Sequence, residues 1–162
     1  GGYGLMRFST LLQSFFMLVT VIGILTTATL CMRQTDLKAL IAMSSVSHMN
    51  LVVIATFIHS KWAYNGAMVM MIAHALTSSA LFCLANTTYE RTNSRTMMFI
   101  QGVMPIFPLA WAWWLIILLF NMATPPAMNF YAELLVMISI FAWSTLAFLM
   151  VTLNLIFTTA YT

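Results

Sequence analysis

The stretch MNFYAELLVMISIFAWSTLAFLMV, residues 128–151, carries a single formal charge in an otherwise apolar run. That charge is Glu133, and no other Asp, Glu, Lys or Arg follows Arg95. Such a run predicts helices in a bilayer. Placing an ionised carboxylate in the hydrocarbon region of a bilayer costs a few kcal/mol or more of free energy. A chain keeps such a group only when a partner, a water-filled cavity or a change of protonation state compensates it. Glu133 is therefore the first candidate functional residue.

The composition of the whole chain also indicates a membrane protein. Of its 162 residues, 62% are hydrophobic and 6% are charged, and the mean hydropathy is +0.97. A soluble domain carries roughly 25% charged residues, so this chain could not present a solvated surface. Its net charge of +3 comes from scattered basic residues without a basic stripe, which argues against nucleic-acid binding. We predict an all-α, polytopic bundle of transmembrane helices in a lipid bilayer.

Apolar runs close to the ~20 residues that cross hydrocarbon predict about five spans in one membrane domain, residues 1–162. Residues 1–13 are typical of the tail of a preceding helix that ends near Arg7. The five predicted spans are 15–32, 39–58, 66–85, 108–143 and 144–161.

The fourth predicted span contains a helix break. Pro105 and Pro108 stand at its start, where proline is tolerated in a first helical turn. Thr124, Pro125 and Pro126 must then interrupt the helix, because proline lacks a backbone donor and disfavours helix at the preceding residue. The sequence leaves open whether this segment is one long broken element or two short spans.

The loops predict an orientation for the bundle. Loops 33–38 and 86–96 share one face, and the opposite face has only Arg7 and Lys61 as basic residues. The positive-inside rule therefore favours the first face as the cytoplasmic or matrix side. The basic residues of that face are Arg33, Lys38, Arg91 and Arg95.

Glu133 lies seven residues after Pro126, within the first two turns of a helix restarted after the break. Burial favours the protonated form of a carboxyl, whereas the positive end of a helix favours the ionised form. A carboxyl balanced between these effects can load and release a proton, so we favour a proton relay. The alternative is a fixed Glu–Lys pair that only holds helices together.

Two histidines are further candidates for a proton path, because imidazole passes a proton through either ring nitrogen near neutral pH. His48 lies mid-span with Ser44 one helical turn away, and His74 is followed by Thr77 and Ser78 on its own face. For either histidine alone, ordinary packing is as good an interpretation. His59 is interpreted as interfacial, and Lys38 as a topology or capping residue rather than a gate or lateral contact.

Motifs for other chemistry are absent from the sequence. There is no phosphate loop, nucleophile elbow, CxxC or zinc-protease helix, and three acids in all provide no paired-carboxylate site. Cys31 and Cys83 are interpreted as small hydrophobic residues rather than a disulfide or metal site. We therefore predict no catalytic residue, cofactor or metal in this chain. It starts without methionine and stops inside an apolar run, which suggests an internal piece of a larger protein or a processed chain.

The strings RQTDLKALIAMSSVSHMNLV (33–52) and MMIAHALTSSALFCLANTTYERTNSR (70–95) are specific enough to show a resemblance. With GGYGLMR at the start and ATPPAMNFYAELLV at 123–136, they resemble the mitochondrial NADH–ubiquinone oxidoreductase chain 4 family. These proteins are antiporter-like membrane subunits of respiratory complex I. The resemblance covers nearly the whole chain, although Ala75 and Ala132 stand where many members have glycine.

The resemblance implies a proton-translocating subunit in the mitochondrial inner membrane, with loops 33–38 and 86–96 on the matrix side. The chain would run from the end of the family's eighth helix through most of the thirteenth, with the broken twelfth helix at 124–126. His48, His74 and Glu133 match the family's hydrophilic proton axis, of which Glu133 is the terminal carboxylate. The chain would hold only the exit-side half of that path.

The same resemblance implies which groups the chain itself lacks and which proteins it contacts. NADH, FMN, iron–sulfur clusters and ubiquinone are expected in other subunits, and the partners are other membrane subunits of complex I, including neighbouring antiporter-like chains. Two alternatives stay open: a subunit of a free-standing cation/proton antiporter, and a structural membrane spacer without proton transfer.

Overall fold

A computed structural model describes residues 2–8, 13–100 and 106–162 of the protein. Within those ranges the regular structure is helical, and one isolated β-bridge joins Asp36 to Thr96. The all-α prediction is therefore confirmed. The helices are α1 (Gly2–Phe8), α2 (Gln13–Cys31), α3 (Leu37–Ile58), α4 (Lys61–Thr92), α5 (Met97–Ile100), α6 (Pro108–Asn121), α7 (Met128–Trp143) and α8 (Thr145–Tyr161).

The helices reproduce the predicted order of spans, with α6 and α7 together taking the place of the fourth. By length and composition, α3 and α4 can each cross a membrane alone, and the apolar parts of α2, α6, α7 and α8 are shorter. Their outer faces are apolar, as a lipid-facing surface requires. Exposed examples are Phe15, Ile72, Leu109, Ile138 and Leu149.

Helix α4 is much longer than predicted. The apolar pattern predicts a span over 66–85 between polar loops at 59–65 and 86–96, whereas α4 covers 32 residues, Lys61–Thr92. At ~1.5 Å per residue a helix of this length extends well beyond the ~30 Å hydrocarbon core. The predicted loop lengths were wrong because polar residues continue a helix into the headgroup region.

Capping residues set the ends of α4. Ser60 precedes the helix, and its hydroxyl accepts a hydrogen bond from the backbone N–H of Ala63 at 3.0 Å. Asn93 ends the helix in the left-handed conformation, with φ of 52°, and donates its backbone N–H to Tyr89 O. His59 ends α3 in the same conformation, so one short turn joins α3 to α4.

The two halves of the fourth predicted span, α6 and α7, pack against different parts of α4. Near the start of α4, Gly66 packs against Val136 of α7. Near its end, Leu81 belongs to a cluster that includes Trp114 of α6. This arrangement confirms a single element that is broken at the Thr-Pro-Pro sequence. Pro105, which was predicted at the start of this element, lies outside the described residues.

Side chains satisfy the backbone groups that the break leaves open. Ala123 adopts a left-handed conformation, with φ of 53°, and turns the chain out of α6. Thr124 then donates both its backbone N–H (3.3 Å) and its hydroxyl (3.1 Å) to Leu119 O. Asn129, in the first turn of α7, donates from Nδ2 to Phe120 O at 3.0 Å. The break is therefore a hydrogen-bonded structure that fixes where α7 starts.

Helices α4 and α7 approach closely because Gly66, the α4 residue at their interface, has no side chain. A Cβ atom on Gly66 would lie 3.0 Å from side-chain atoms of Leu135 and Val136, and 3.2 Å from the carbonyl oxygen of Ala132. The carbonyl cannot move without shifting α7. Glycine at this position therefore sets the spacing between the helix that carries His74 and the helix that carries Glu133.

We expect Gly66→Val to lower the free energy of unfolding by about 1–3 kcal/mol, because overpacking forces the two helices apart. The midpoint of thermal unfolding in detergent measures this effect. Gly4→Val is the matched control, since a Cβ there meets no described atom within 4 Å. Equal midpoints for the two variants would contradict the close approach.

We expect Asn129→Leu, which keeps the size of the side chain, to loosen the break by leaving Phe120 O without its donor. The cost of such an unmade buried hydrogen bond is about 1–3 kcal/mol. Hydrogen exchange across residues 119–131 should become faster. Asn86→Leu is the control, because the side chain of Asn86 donates to Glu90 on the exposed face of the same helix. Unchanged exchange in Asn129→Leu would show that the Asn129 bond does not hold the break.

Candidate functional site

Glu133 lies in the second turn of α7, with 8% of its surface exposed. The break and the bond from Asn129 place this turn in the interior, facing α3 and α4. One carboxylate oxygen, Oε1, is 3.7 Å from Nδ1 of His48. This distance fits an ion pair when the imidazole is protonated, and it is longer than a direct hydrogen bond. The ion-pair partner of Glu133 among the described residues is therefore a histidine.

The two predicted histidines lie side by side. His48 comes from the middle of α3 and His74 from the middle of α4, and both are buried. Their ring centres are 5.1 Å apart, with the planes inclined by 36°. Glu133, His48 and His74 thus form one continuous group, to which three helices contribute one residue each. We call it the Glu–His–His cluster.

Several ring nitrogens of the Glu–His–His cluster are free of hydrogen bonds to the described residues. Among the described residues, Nε2 of His48 and both ring nitrogens of His74 have no hydrogen-bond partner. Buried polar atoms without partners are uncommon in folded proteins, and each one requires an explanation. An imidazole with an open nitrogen can accept or donate a proton without first breaking another bond.

The hydroxyl groups predicted beside the histidines donate instead to their own helices. Ser44 donates to Ile41 O at 2.8 Å, and Ser78 to Ala75 O at 3.4 Å. Thr77 donates to the carbonyls of Ala73 and His74, each at 3.2 Å. Sequence spacing placed these residues on the correct helices, but a serine or threonine inside a membrane helix satisfies its proton locally.

The basic residues lie away from the Glu–His–His cluster. In the part of the chain that the structure describes, no lysine lies within ion-pair distance of Glu133. The Nζ atom of Lys38 instead lies 5.3 Å from the ring centre of Tyr89. His59 is exposed at the end of α3, in agreement with an interfacial position. The fixed Glu–Lys pair that was considered from the sequence is not formed by these residues.

Sequence reasoning missed several buried polar residues. Ser47 donates to Oδ1 of Asn154 at 3.1 Å, which links α3 to α8, and both residues are fully buried. Nothing in their local sequence indicates this contact, because 107 residues separate them. Asn129 could have been found, since it lies one helical turn before Glu133 and therefore on the same face of α7.

The chemistry of the Glu–His–His cluster allows proton exchange. Across residues 2–8, 13–100 and 106–162, no group of three or more His, Cys, Asp or Glu side chains has the arrangement of a metal site. A carboxyl and two imidazoles can each gain or lose one proton. The three groups adjoin one another in space, in the order Glu133, His48 and His74. Glu133 also borders an apolar groove between α7 and α8, lined by Phe130, Met137 and Phe148.

Comparison with known proteins gives a consistent family. The family described as "NADH:quinone oxidoreductase/Mrp antiporter, TM" matches residues 1–159. NADH-ubiquinone oxidoreductase chain 4 of Struthio camelus is 48% identical over 100% of this chain, which covers 37% of that relative. The same protein of Ovophis okinavensis is 47% identical over 99% of this chain, which covers 73% of it. The chain thus spans a little over a third of the first relative's length.

A solved structure has the same fold. A chain of respiratory complex I from Thermus thermophilus with bound NADH superposes with a TM-score of 0.87, over 92% of this chain and 32% of that chain. At 24% identity this similarity concerns the fold alone. The resemblance predicted from the sequence is confirmed by the relatives, and the chain belongs to the NADH:quinone oxidoreductase/Mrp antiporter family of membrane proteins.

Proposed function

We propose that this chain is part of a proton-translocating membrane subunit of NADH:ubiquinone oxidoreductase, complex I, and carries the exit-side half of its hydrophilic proton path. The observation that supports this function is the Glu–His–His cluster. Its three titratable groups come from three different helices, are buried, and adjoin one another. A structural spacer needs no such series, because apolar contacts pack helices without the cost of burying a charge.

In this proposal the proton passes from His74 to His48 and then to Glu133, the terminal carboxylate of the path. Protonation of Nε2 of His48 by His74 forms an imidazolium beside the Glu133 carboxylate. Transfer of the Nδ1 proton of His48 to that carboxylate then gives a neutral pair, and release of the proton from Glu133 leaves the carboxylate ready to be loaded again. Since proton transfer requires heavy atoms at about 2.6–3.2 Å, the 3.7 Å gap must shorten by roughly 0.5 Å or be bridged by water.

The relatives named NADH-ubiquinone oxidoreductase chain 4 support a proposal for the wider setting of the chain. We place the chain in the mitochondrial inner membrane, with the loops before α3 and after α4 on the matrix side. Its partners are the other membrane subunits of complex I, including neighbouring antiporter-like chains. NADH oxidation, with FMN and iron–sulfur clusters, and ubiquinone reduction belong to other subunits, so this chain couples to their chemistry at a distance.

We expect Glu133→Gln in the assembled complex to lower proton pumping by at least about tenfold, because glutamine keeps the size but cannot exchange a proton. Proton uptake in proteoliposomes, together with NADH oxidation, measures the effect. Glu90→Gln is the matched control, because Glu90 is exposed and accepts a hydrogen bond from Asn86 on its own helix. Full pumping by normally assembled Glu133→Gln would contradict a relay.

The same variant tests the structural-spacer alternative. A spacer predicts that Glu133→Gln reduces assembly and leaves the pumping of each assembled complex unchanged. Native-gel quantification of the complex, set against pumping per complex, separates the two outcomes. Rescue of pumping by Glu133→Asp, which restores a carboxyl on a shorter side chain, would further support proton exchange.

We expect His48→Gln to reduce proton pumping, because glutamine can hydrogen-bond to Glu133 but cannot carry the proton onwards. His59→Asn is its control, since His59 is exposed and asparagine accepts the left-handed conformation, φ 54°, of that position. Proton uptake per NADH oxidised is again the measurement. Equal uptake in the two variants would remove His48 from the path.

The family description also includes Mrp antiporters, and this favours one second candidate function. A free-standing cation/proton antiporter would move protons in response to a gradient of the exchanged cation, without NADH. Applying each driving force separately to the reconstituted protein distinguishes the two functions. The identities of 47–48% to complex I subunits favour the first.

A further inference from the structure

Two loops are tied together at the end of the bundle where α3 begins and α4 ends. The backbone N–H of Leu37 donates to Arg95 O at 3.2 Å, and that of Met97 donates to Thr35 O at 3.0 Å. These bonds surround the isolated β-bridge between the loops. The basic side chains that the loops carry are therefore held in a fixed arrangement at one face of the bundle.

Aromatic rings hold three of these cations. The Nζ atom of Lys38 and the Cζ atom of Arg95 lie 5.3 Å and 5.1 Å from the ring centre of Tyr89. The Cζ atom of Arg91 lies 4.4 Å from the ring centre of Phe107. Within the described part of the chain, none of the three forms an ion pair with a carboxylate. Each cation therefore keeps donors available for an anion.

The charge of this face is positive even when its acids are counted. Asp36 takes part in the β-bridge, and the Oε1 atom of Glu90 accepts a hydrogen bond from Asn86 at 2.9 Å. Those two acids stand against four basic residues, so the formal balance is +4 − 2 = +2. The basic residues are Arg33, Lys38, Arg91 and Arg95. Such a balance attracts anionic headgroups at a membrane surface.

A cavity of about 460 Å³ opens beside the three ring-bound cations. This volume is within the range of ligand sites. Phe107 forms part of its wall and also holds Arg91. Leu37, Thr88 and Ile100 border both this cavity and the small cleft lined by Lys38, Tyr89 and Arg95. The cations therefore lie along the rim of the cavity.

The walls of the cavity are mainly apolar. Large contributions come from Leu40, Ile41, Leu81, Trp111, Trp114 and Leu118. Ser44 and Thr88 also line the cavity, but their hydroxyls donate to carbonyls of their own helices. Asn121 and Tyr161 line the cavity as well. The Oδ1 atom of Asn121 and the hydroxyl of Tyr161 have no hydrogen-bond partner among the described residues. The occupant must therefore be largely apolar, with an anionic end at the rim.

We propose that this cavity binds an anionic phospholipid, with its phosphate at Lys38, Arg91 and Arg95 and one acyl chain between α3, α4 and α6. A phospholipid combines the two properties that the site requires, because its charge lies at the membrane surface and its chain extends into hydrocarbon. A purely apolar polypeptide segment would leave the three cations without an anion. His48, His74 and Glu133 do not line this cavity, so the proposal does not rest on proton transfer by the Glu–His–His cluster.

The test uses the assembled complex in nanodiscs and phospholipids with a photoreactive group in one acyl chain. Phosphatidylglycerol should crosslink to peptides that contain Trp114 or Leu118, and phosphatidylcholine should do so much less. Arg91→Gln combined with Arg95→Gln should lower the phosphatidylglycerol signal roughly tenfold, because each basic residue near a membrane surface contributes to headgroup attraction. Lys61→Gln, at the opposite end of α4, should leave it unchanged.

Two results would overturn the proposal. Equal crosslinking of both phospholipids at the cavity would remove the role of the cations. Crosslinking of the cavity walls to a polypeptide in place of lipid would show that a protein segment fills it. If the double variant fails to assemble, the comparison of the two phospholipids in the unmodified complex still decides between lipid binding and the alternatives.

Discussion

Hydrocarbon cannot hydrogen-bond, so a helix break inside a membrane must satisfy its own backbone groups, and this requirement organises the rest of the structure. Prolines interrupt the fourth span, and the carbonyls at the end of α6 then need new donors. Thr124 and Asn129 supply them at Leu119 and Phe120. Because Asn129 belongs to α7, the bond that closes the break also fixes where α7 starts. The position of Glu133, one turn later, is therefore a consequence of how the break is closed.

Helix α4 packs against both halves of the broken element and also carries His74. Its 32 residues run beside both halves of the broken element, with Gly66 against α7 and Leu81 in the cluster that includes Trp114 of α6. The missing side chain at Gly66 brings α7 to within contact distance of the α4 backbone. Two turns further along α4, His74 then faces the interior beside His48. Close packing and the placement of titratable groups thus depend on the same pair of helices.

The sequence predicted the elements that depend on local chemistry. An isolated charge identified Glu133, mid-span positions identified His48 and His74, and two adjacent prolines identified the break. It failed where the result depends on contacts between distant residues or on the ends of helices. The bond between Ser47 and Asn154 has no local pattern, since it joins helices that lie far apart in sequence. The length of α4 was misjudged because hydropathy reports where hydrocarbon ends and not where a capped helix ends.

The open nitrogens of the histidines distinguish this cluster from an ordinary buried polar group. A buried polar atom without a hydrogen-bond partner is costly, and three such nitrogens lie together among the described residues. Among the described residues the ion-pair partner of Glu133 is a histidine, and that ion pair forms when His48 is protonated. The charge balance of the pair therefore depends on the protonation of its own members, which is the property that the proposed proton path requires.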